Sequence, residues 1–161
     1  MNDACVLIVM GSRSDLPQME GCMAMLETLK LPYEVRILSA HRTPDAVLEL
    51  SRDAVASGIK VIIAAAGGAA HLAGVLASST PLPVIGIPIQ TSGLGGLDSL
   101  LSIVQMPGGV PVATVSIGKA GAKNAAVLAA EIIGTGDKAV QQRVIEFKED
   151  QAAKVLADSK F

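Results

Sequence analysis

The chain contains two histidines, and both stand in segments whose neighbours suit proton transfer and anion binding. His41 lies in the segment Ser-Ala-His-Arg-Thr-Pro, directly before Arg42, and His71 follows the glycine pair Gly67 and Gly68. Histidine gives and takes a proton near neutral pH, and a guanidinium offers parallel hydrogen bonds to a phosphate or carboxylate. These residues predict an acid–base site. The alternative is that these residues have only structural roles, the histidines packing in the core or capping a helix and the glycines forming a turn.

A third polar segment, residues 11–15, has the sequence Gly-Ser-Arg-Ser-Asp and follows an apolar run. A glycine at a strand end allows a tight turn, and the N–H groups and hydroxyls that follow it favour an anion at a helix start. The pattern predicts a phosphate or sugar site in which Asp15 accepts from sugar hydroxyls. Ordinary capping by Ser14 or Asp15 is the alternative. The segment matches neither Walker A nor G-x-G-x-x-G, which counts against nucleoside triphosphates and dinucleotides.

The remaining polar residues indicate neither a metal site nor a serine nucleophile. The two histidines and the two cysteines, Cys5 and Cys22, lack the spacing of metal ligands, and no G-x-S-x-G sequence occurs. We interpret Asp98 and Ser99 as capping residues at the start of a helix. The chemistry is therefore expected to depend on the three polar segments alone.

Composition argues against several classes of partner. A formal net charge of −2 provides no basic surface for nucleic acid, and one Tyr, two Phe and no Trp cannot form an aromatic stack for flavin or bases. No apolar run reaches the roughly 18 residues of a membrane span, and no basic secretion signal precedes the first apolar run. We therefore expect a cytoplasmic protein whose buried thiols stay reduced, with no membrane or nucleic-acid partner.

Short apolar runs alternate with helical segments, and this alternation places the polar segments at strand ends. Strands are predicted over residues 4–10, 33–38, 60–66, 83–87 and 112–117. Helices are predicted from residue 16 onward and over residues 44–58, 69–78, 97–106, 119–133 and 137–158. Successive β–α units form a parallel sheet with helices on both faces, and ligands bind at the carboxyl ends of its strands. The 161 residues suit a single catalytic domain, residues 1–161.

Four motifs in order resemble class I N5-carboxyaminoimidazole ribonucleotide mutases, the PurE family. They are GSRSD at 11–15, SAHRTPD at 39–45, GGAAHLAG at 67–74 and DSLLSIVQMPGGVPV at 98–112. Together they extend over nearly the whole chain, which makes the resemblance far more specific than any single motif. Ala73 stands where the family usually has Pro.

The resemblance implies a fold, a reaction and a set of site residues. The fold is a three-layer α/β/α flavodoxin-like fold, with a five-stranded parallel sheet and an extra C-terminal helix. The reaction converts N5-carboxyaminoimidazole ribonucleotide to 4-carboxy-5-aminoimidazole ribonucleotide in purine biosynthesis, without metal, biotin, ATP or another cofactor. His41 matches the general acid/base and His71 a second pocket histidine. Substrate-binding residues are expected at Ser12, Ser14, Asp15, Ser39, Arg42, Gly67, Gly68 and Ala69.

Two other functions remain as alternatives. A direct aminoimidazole ribonucleotide carboxylase shares fold, substrate and product but takes free carbon dioxide; the SAHRTP and GGAAHL sequences favour the mutase. A non-enzymatic flavodoxin-like module would need aromatic residues for FMN, or acids clustered after the first strand for a receiver domain. Only Asp15 lies near that strand end.

The resemblance also implies a homo-octamer, and the sequence indicates where its subunits meet. The alanine-rich helix has five alanines within residues 122–130, which allow close helix approach. The last helix, residues 137–158, carries Val140, Val144, Phe147 and Val155 at near-helical spacing. We expect both helices to pack on a neighbouring subunit, because a single domain has little left to bury these side chains against.

Overall fold

Five strands form one parallel sheet in the computed structural model, which describes residues 4–159. The strands are β1 (Val6–Met10), β2 (Tyr33–Ile37), β3 (Val61–Ala66), β4 (Val84–Pro88) and β5 (Ala113–Thr114). Their order is β2-β1-β3-β4-β5, and every neighbouring pair is parallel. This is the doubly wound flavodoxin-like order, in which the chain switches direction between β1 and β3. The predicted fold class is confirmed.

Helices cover both faces of the sheet and complete the three layers. They are α1 (Leu16–Thr28), α2 (Pro44–Asp53), α3 (Leu72–Ala77), α4 (Leu97–Val104), α5 (Gly118–Gly134) and α6 (Lys138–Ala157). Side chains alternate across β1, so Ile8 and Met10 join the core beneath α1 and α5. Leu7 and Val9 join the opposite core beneath α2 and α3. A strand buried on both faces needs a continuous apolar run, which is what the sequence has here.

The fifth strand is shorter than the sequence predicts. Residues 112–117 were expected to be extended, but only Ala113–Thr114 form the strand. Beyond it the chain turns towards α5, and the carbonyl of Ser116 lies directly over Gly121. A Cβ atom on Gly121 would lie 1.6 Å from that oxygen, so only glycine permits this approach. Val115 still donates one hydrogen bond to the Gly86 carbonyl of β4, at 3.1 Å, but the strand does not continue beyond it.

Three other predicted boundaries are also wrong. The first strand begins at Val6 and not at residue 4. The helix predicted over 44–58 ends at Asp53, and turns continue to Gly58, whose φ of 86° only glycine adopts readily. The helix predicted over 69–78 begins at Leu72, because residues 67–71 form a loop at the carboxyl edge of the sheet.

The alanine-rich face of α5 packs inside this chain, contrary to our expectation. Ala122, Ala125, Ala126, Ala129 and Ala130 are all fully buried, in the core that also contains residues of α1. Small side chains let the two helices lie close together, as expected, but the partner is α1 and not a neighbouring subunit.

The first half of α6 is also held by its own chain. Val140 and Val144 are buried in the core that contains Leu29, and the expectation that they require a neighbouring subunit is wrong. The Asp137 carboxylate caps the helix by accepting from two backbone N–H groups, and Arg143 Nε donates to the Leu29 carbonyl at 2.7 Å. Three large apolar side chains of α6 stay exposed, namely Ile145, Val155 and Leu156.

The two cysteines are free thiols inside the fold. Cys22 of α1 is fully buried, and burial raises the pKa of its thiol to about 12. Cys5 is partly buried, and burial likewise raises its pKa.

Within residues 4–159, no helix is both long and apolar enough to cross a membrane.

Candidate active site

A cavity of about 730 Å³ opens at the carboxyl ends of β1 to β4. Its walls are the loops that follow these strands, which include the switch point between β1 and β3 where such sheets bind ligands. The structure brings every predicted site residue to this cavity: Ser12, Ser14, Asp15, Ser39, His41, Arg42, Gly67, Gly68, Ala69 and His71.

The loop after β1 is ordered by its own side chains. Ser12 Oγ accepts from the backbone N–H of Ser14 at 3.3 Å, and Asp15 Oδ2 accepts from the backbone N–H of Ser12 at 3.1 Å. Ser14 Oγ donates to Ser12 Oγ at 2.8 Å. These residues therefore cap the short 3₁₀ turn Arg13–Asp15, and their remaining hydrogen-bonding capacity faces the cavity.

Asp15 is the buried carboxylate of this loop, with only 7% of its surface exposed. Burial raises the pKa of Asp15, while hydrogen bonds from the Ser12 backbone and the Ser14 side chain act in the opposite direction. Burial therefore destabilises the charged form of Asp15 relative to the neutral form when no ligand is bound. A ligand hydroxyl that donates to it would relieve part of this penalty.

The loop after β2 holds Arg42 at the rim of the cavity. Ser39 Oγ accepts from the Arg42 backbone N–H at 3.3 Å, and Thr43 Oγ1 donates to the Ser39 carbonyl at 2.9 Å. Arg42 Nη2 donates to the carbonyl of Gly11 at 3.4 Å, which directs the guanidinium towards the loop after β1. No carboxylate within residues 4–159 forms an ion pair with Arg42, so its charge is available to an anionic ligand.

The loop after β3 uses two glycines for different reasons. A Cβ atom on Gly67 would lie 3.2 Å from Cγ2 of Thr91, so glycine lets the loop after β4 approach. Gly68 has a φ of 68°, where glycine is favoured, although a Cβ there would meet nothing. The backbone N–H of Gly68 donates to Ser99 Oγ of α4 at 2.9 Å.

The two histidines meet at the cavity. His41 Nε2 lies 2.9 Å from His71 Nδ1, so one ring donates a hydrogen bond to the other, and the tautomers decide which. The planes of the rings are inclined at 83°. Both side chains are exposed to the cavity, where they could reach a bound molecule. The site therefore combines a proton-transfer pair with a free guanidinium, hydroxyls and a carboxylate.

Sequence reasoning missed the contribution of α1 and of the loop after β4. Gln18, Gln90, Thr91 and Ser92 also line the cavity. Gln18 Nε2 donates to the Gln90 carbonyl at 3.1 Å, and the Gln90 N–H donates to Gln18 Oε1 at 3.0 Å. The position of this loop after a parallel strand indicated the rim, but nothing in the sequence paired Gln18 with a residue 72 positions away.

The capping interpretation of Asp98 and Ser99 is wrong. Neither caps α4, whose N-cap is Gly96. Asp98 instead accepts from Thr91 Oγ1 at 2.9 Å, while Ser99 bonds to Gly68. Within the part of the chain that the structure describes, no group of three or more His, Cys, Asp or Glu residues could hold a metal ion.

The chain is similar in sequence and in structure to several known proteins. A family model described as AIR carboxylase matches residues 5–154. The N5-carboxyaminoimidazole ribonucleotide mutase of Bacillus subtilis (strain 168) is 55% identical over 152 residues, 94% of each chain. The mutase of Escherichia coli (strain K12) is 51% identical over 155 residues, 96% of this chain and 92% of its own. The crystal structure of Treponema denticola PurE has a TM-score of 0.86 at 32% identity, covering 95% of this chain and 94% of that chain. The chain therefore belongs to the AIR carboxylase family.

Proposed function

We propose that this protein is an enzyme of purine biosynthesis that converts N5-carboxyaminoimidazole ribonucleotide to 4-carboxy-5-aminoimidazole ribonucleotide. The observation that carries the proposal is the identity of 55% with a mutase of that name, over 94% of both chains. The cavity supports the proposal, because it offers anion binding and proton transfer side by side.

The phosphate and ribose are proposed to bind between Arg42 and the loop after β1. Arg42 has no ion-pair partner among the residues that the structure describes, and it already donates to Gly11 of that loop. Ser12, Ser14 and Ser39 supply hydroxyls for phosphate oxygens, while Asp15 accepts from ribose hydroxyls. Gly67, Gly68 and Ala69 then face the base, where the absence of large side chains permits close approach.

His41 is proposed as the proton shuttle. Protonated His41 gives its proton to the carbamate nitrogen, the C–N bond breaks, and carbon dioxide leaves an electron-rich aminoimidazole. Carbon C4 then attacks the retained carbon dioxide, and neutral His41 takes the C4 proton. A closed cavity keeps the carbon dioxide beside C4 at high effective concentration. His71 holds the His41 ring through their 2.9 Å contact.

This reaction needs no cofactor. The carboxyl group that leaves nitrogen is the one that joins carbon, so no oxidant, reductant or ATP enters the balance. One imidazole can supply the first proton and remove the second. The proposed reaction therefore requires only the protein groups that line the cavity.

The experiment compares two substrates with the purified protein. One reaction contains the carbamate ribonucleotide, and the other contains aminoimidazole ribonucleotide with added bicarbonate. Formation of the 4-carboxy product from the first and not from the second supports the mutase. The opposite result would make the protein a direct carboxylase, and no product from either would reject the function. A protein that purifies with bound flavin would point to the electron-carrier alternative.

We also propose that the single catalytic domain assembles into a homo-oligomer; the number eight rests on the family resemblance. Leu97, Leu101 and Val104 of α4 are each about half exposed and lie on one face of the helix, at spacings of four and three. An exposed apolar stripe of this kind is typical of a subunit contact. Val155 and Leu156, both exposed near the end of α6, are candidates for a second contact. A cytoplasmic location stays a prediction from the sequence.

A further inference from the structure

The side chain of Ser99 joins the loop after β3 to the loop after β4, and both loops line the cavity. Its side chain is fully buried at the start of α4. Ser99 Oγ donates to the carbonyl of Ile89 at 2.8 Å and accepts from the backbone N–H of Gly68 at 2.9 Å. One hydroxyl thus joins the chain after β3 to the chain after β4.

A second hydroxyl of α4 holds the other side of the same glycine. The single hydrogen of Ser102 Oγ is shared between two carbonyl acceptors, that of Gly68 at 3.2 Å and that of Asp98 at 2.8 Å. The N–H and C=O groups of Gly68 are therefore both bound by serines one helical turn apart. Glycine adopts the observed φ of 68° readily but also has many other conformations open to it, so these hydrogen bonds select the one seen here.

The chain between Gly68 and His71 has little freedom to absorb a shift. The Ala70 N–H donates to the Gly68 carbonyl at 2.8 Å, and the His71 N–H donates to the Ala69 carbonyl at 2.9 Å. Two consecutive bonds between residues i and i+2 form tight turns. A displacement of Gly68 is therefore passed on to His71, whose Nδ1 contacts His41.

We propose that Ser99 is a positioning residue for the histidine pair. It touches no substrate; by fixing the Gly68 peptide it sets where His71 stands, and through His71 it sets the orientation of His41. The catalytic part of this inference rests on the proposed function. A ring displaced by about 1 Å can lower the rate of a proton-transfer step by about 10²-fold without removing any group that binds the substrate.

The test compares Ser99→Ala with Ser51→Ala. Ser51 is the matched control, because its side chain is also fully buried and its Oγ donates to one carbonyl, that of Leu76 at 2.7 Å. It belongs to α2, bonds to α3 and is not among the residues that line the cavity. Both variants lose a buried hydroxyl and should unfold at lower urea concentration. Only Ser99→Ala should lower kcat for the carbamate ribonucleotide, by about tenfold to a hundredfold, with KM raised by a smaller factor because Gly68 is itself proposed to face the base.

Imidazole NMR spectra test the positioning without turnover. The chain has only two histidines, so their ring resonances are readily assigned. Ser99→Ala should shift the His71 and His41 ring signals, whereas Ser51→Ala should leave them in place. Should Ser99→Ala not fold, Ser99→Cys keeps most of the side-chain volume with weaker hydrogen bonds and should show the same changes in reduced form. Unchanged ring signals, or a kcat loss no larger than that of Ser51→Ala, would overturn the proposal. If the wild type fails to turn over the carbamate, the proposed function fails, while the ring signals still decide the role of Ser99.

Discussion

Nε2 of His41 lies 2.9 Å from Nδ1 of His71, although the two residues are 30 positions apart in the sequence. Their loops follow β2 and β3, the two neighbours of β1, so the contact crosses the carboxyl end of β1. Only one of the facing nitrogens can carry the hydrogen. The tautomer of one neutral ring therefore fixes which nitrogen of the other faces it as donor or acceptor.

This contact gives the two histidines different expected roles. His41→Asn keeps a hydrogen-bonding group of similar size but cannot relay a proton. We predict that it binds the ribonucleotide nearly normally and loses about 10²–10⁴-fold in the rate of the chemical step. His71→Asn should lose less, because an amide can still hold the His41 ring. Calorimetric binding and single-turnover kinetics measure the two effects separately. A larger loss for His71→Asn would reverse the assignment.

Arg42 is predicted to act in binding more than in chemistry. Its guanidinium is unpaired in the described part of the chain and lies at the rim beside the loop after β1. Arg42→Ala should weaken ribonucleotide binding by about 2–4 kcal/mol, since a charged contact to the phosphate is lost. Arg52→Ala, on the exposed surface of α2, is the matched control and should bind normally. Titration calorimetry that finds normal affinity for Arg42→Ala would contradict this role.

Replacing Asp15 by Asn should raise the relative stability of the folded protein towards neutral pH but weaken binding of the ribonucleotide. Because burial raises its pKa, the folded protein holds the Asp15 proton more tightly than the unfolded chain does. The protonated Asp15 carboxyl group therefore stabilises the folded state fully at pH values below the unfolded pKa of about 3.9. This stabilisation is lost as the pH rises through the pKa of the folded state. The free energy of unfolding of Asp15→Asn, relative to wild type, should therefore increase as the pH is raised from about 4 to 7.

The same variant should bind the ribonucleotide about tenfold more weakly or worse, because a charged acceptor is replaced by a neutral one. Urea unfolding at several pH values and calorimetry measure the two effects. A relative stability that decreases towards pH 7 would mean that the pKa of Asp15 is lowered in the folded state, which is incompatible with the burial described above.

The sequence was sufficient to predict the sheet and the gathering of these polar residues at one cavity, and the reason is physical. A parallel strand buried on both faces must be an unbroken apolar run, and a ligand site in such a sheet lies where those runs end. Ser12 and His71 each follow such a run, whereas Arg42 follows the edge strand β2, whose sequence Tyr-Glu-Val-Arg-Ile is only partly apolar. Their positions after strands were still enough to predict that all three lie at one cavity.

What the sequence could not predict depends on long-range packing. Ser99 has the sequence context of a helix cap, and only the fold reveals its bond to Gly68, 31 residues away. Val140 and Val144 have the pattern of an amphipathic helix, but the pattern does not say whether the apolar face meets the same chain or another. Residues 112–117 read as a strand, because the approach of Ser116 to Gly121 is a contact between elements.

The apolar stripe on α4 predicts an assembly that can be disrupted by a single charge. Leu101→Glu places a carboxylate in the middle of that stripe, where burial in an interface would be unfavourable. The wild type should have a multiple of the monomer mass by light scattering, and Leu101→Glu a smaller mass. Val55→Glu, an equally exposed apolar position after α2, should leave the mass unchanged. A monomeric wild type at micromolar concentration would refute the assembly.

The central claim is that the carboxyl group moves from nitrogen to carbon inside the cavity, and isotope retention tests it most directly. The carbamate ribonucleotide is labelled with ¹³C in its carboxyl group and is turned over once in the presence of excess unlabelled bicarbonate. A closed site that retains carbon dioxide beside C4 predicts that most of the label appears in the C4 carboxyl group of the product. A product carrying mainly unlabelled carbon would show that free carbon dioxide is the substrate, and would contradict the account.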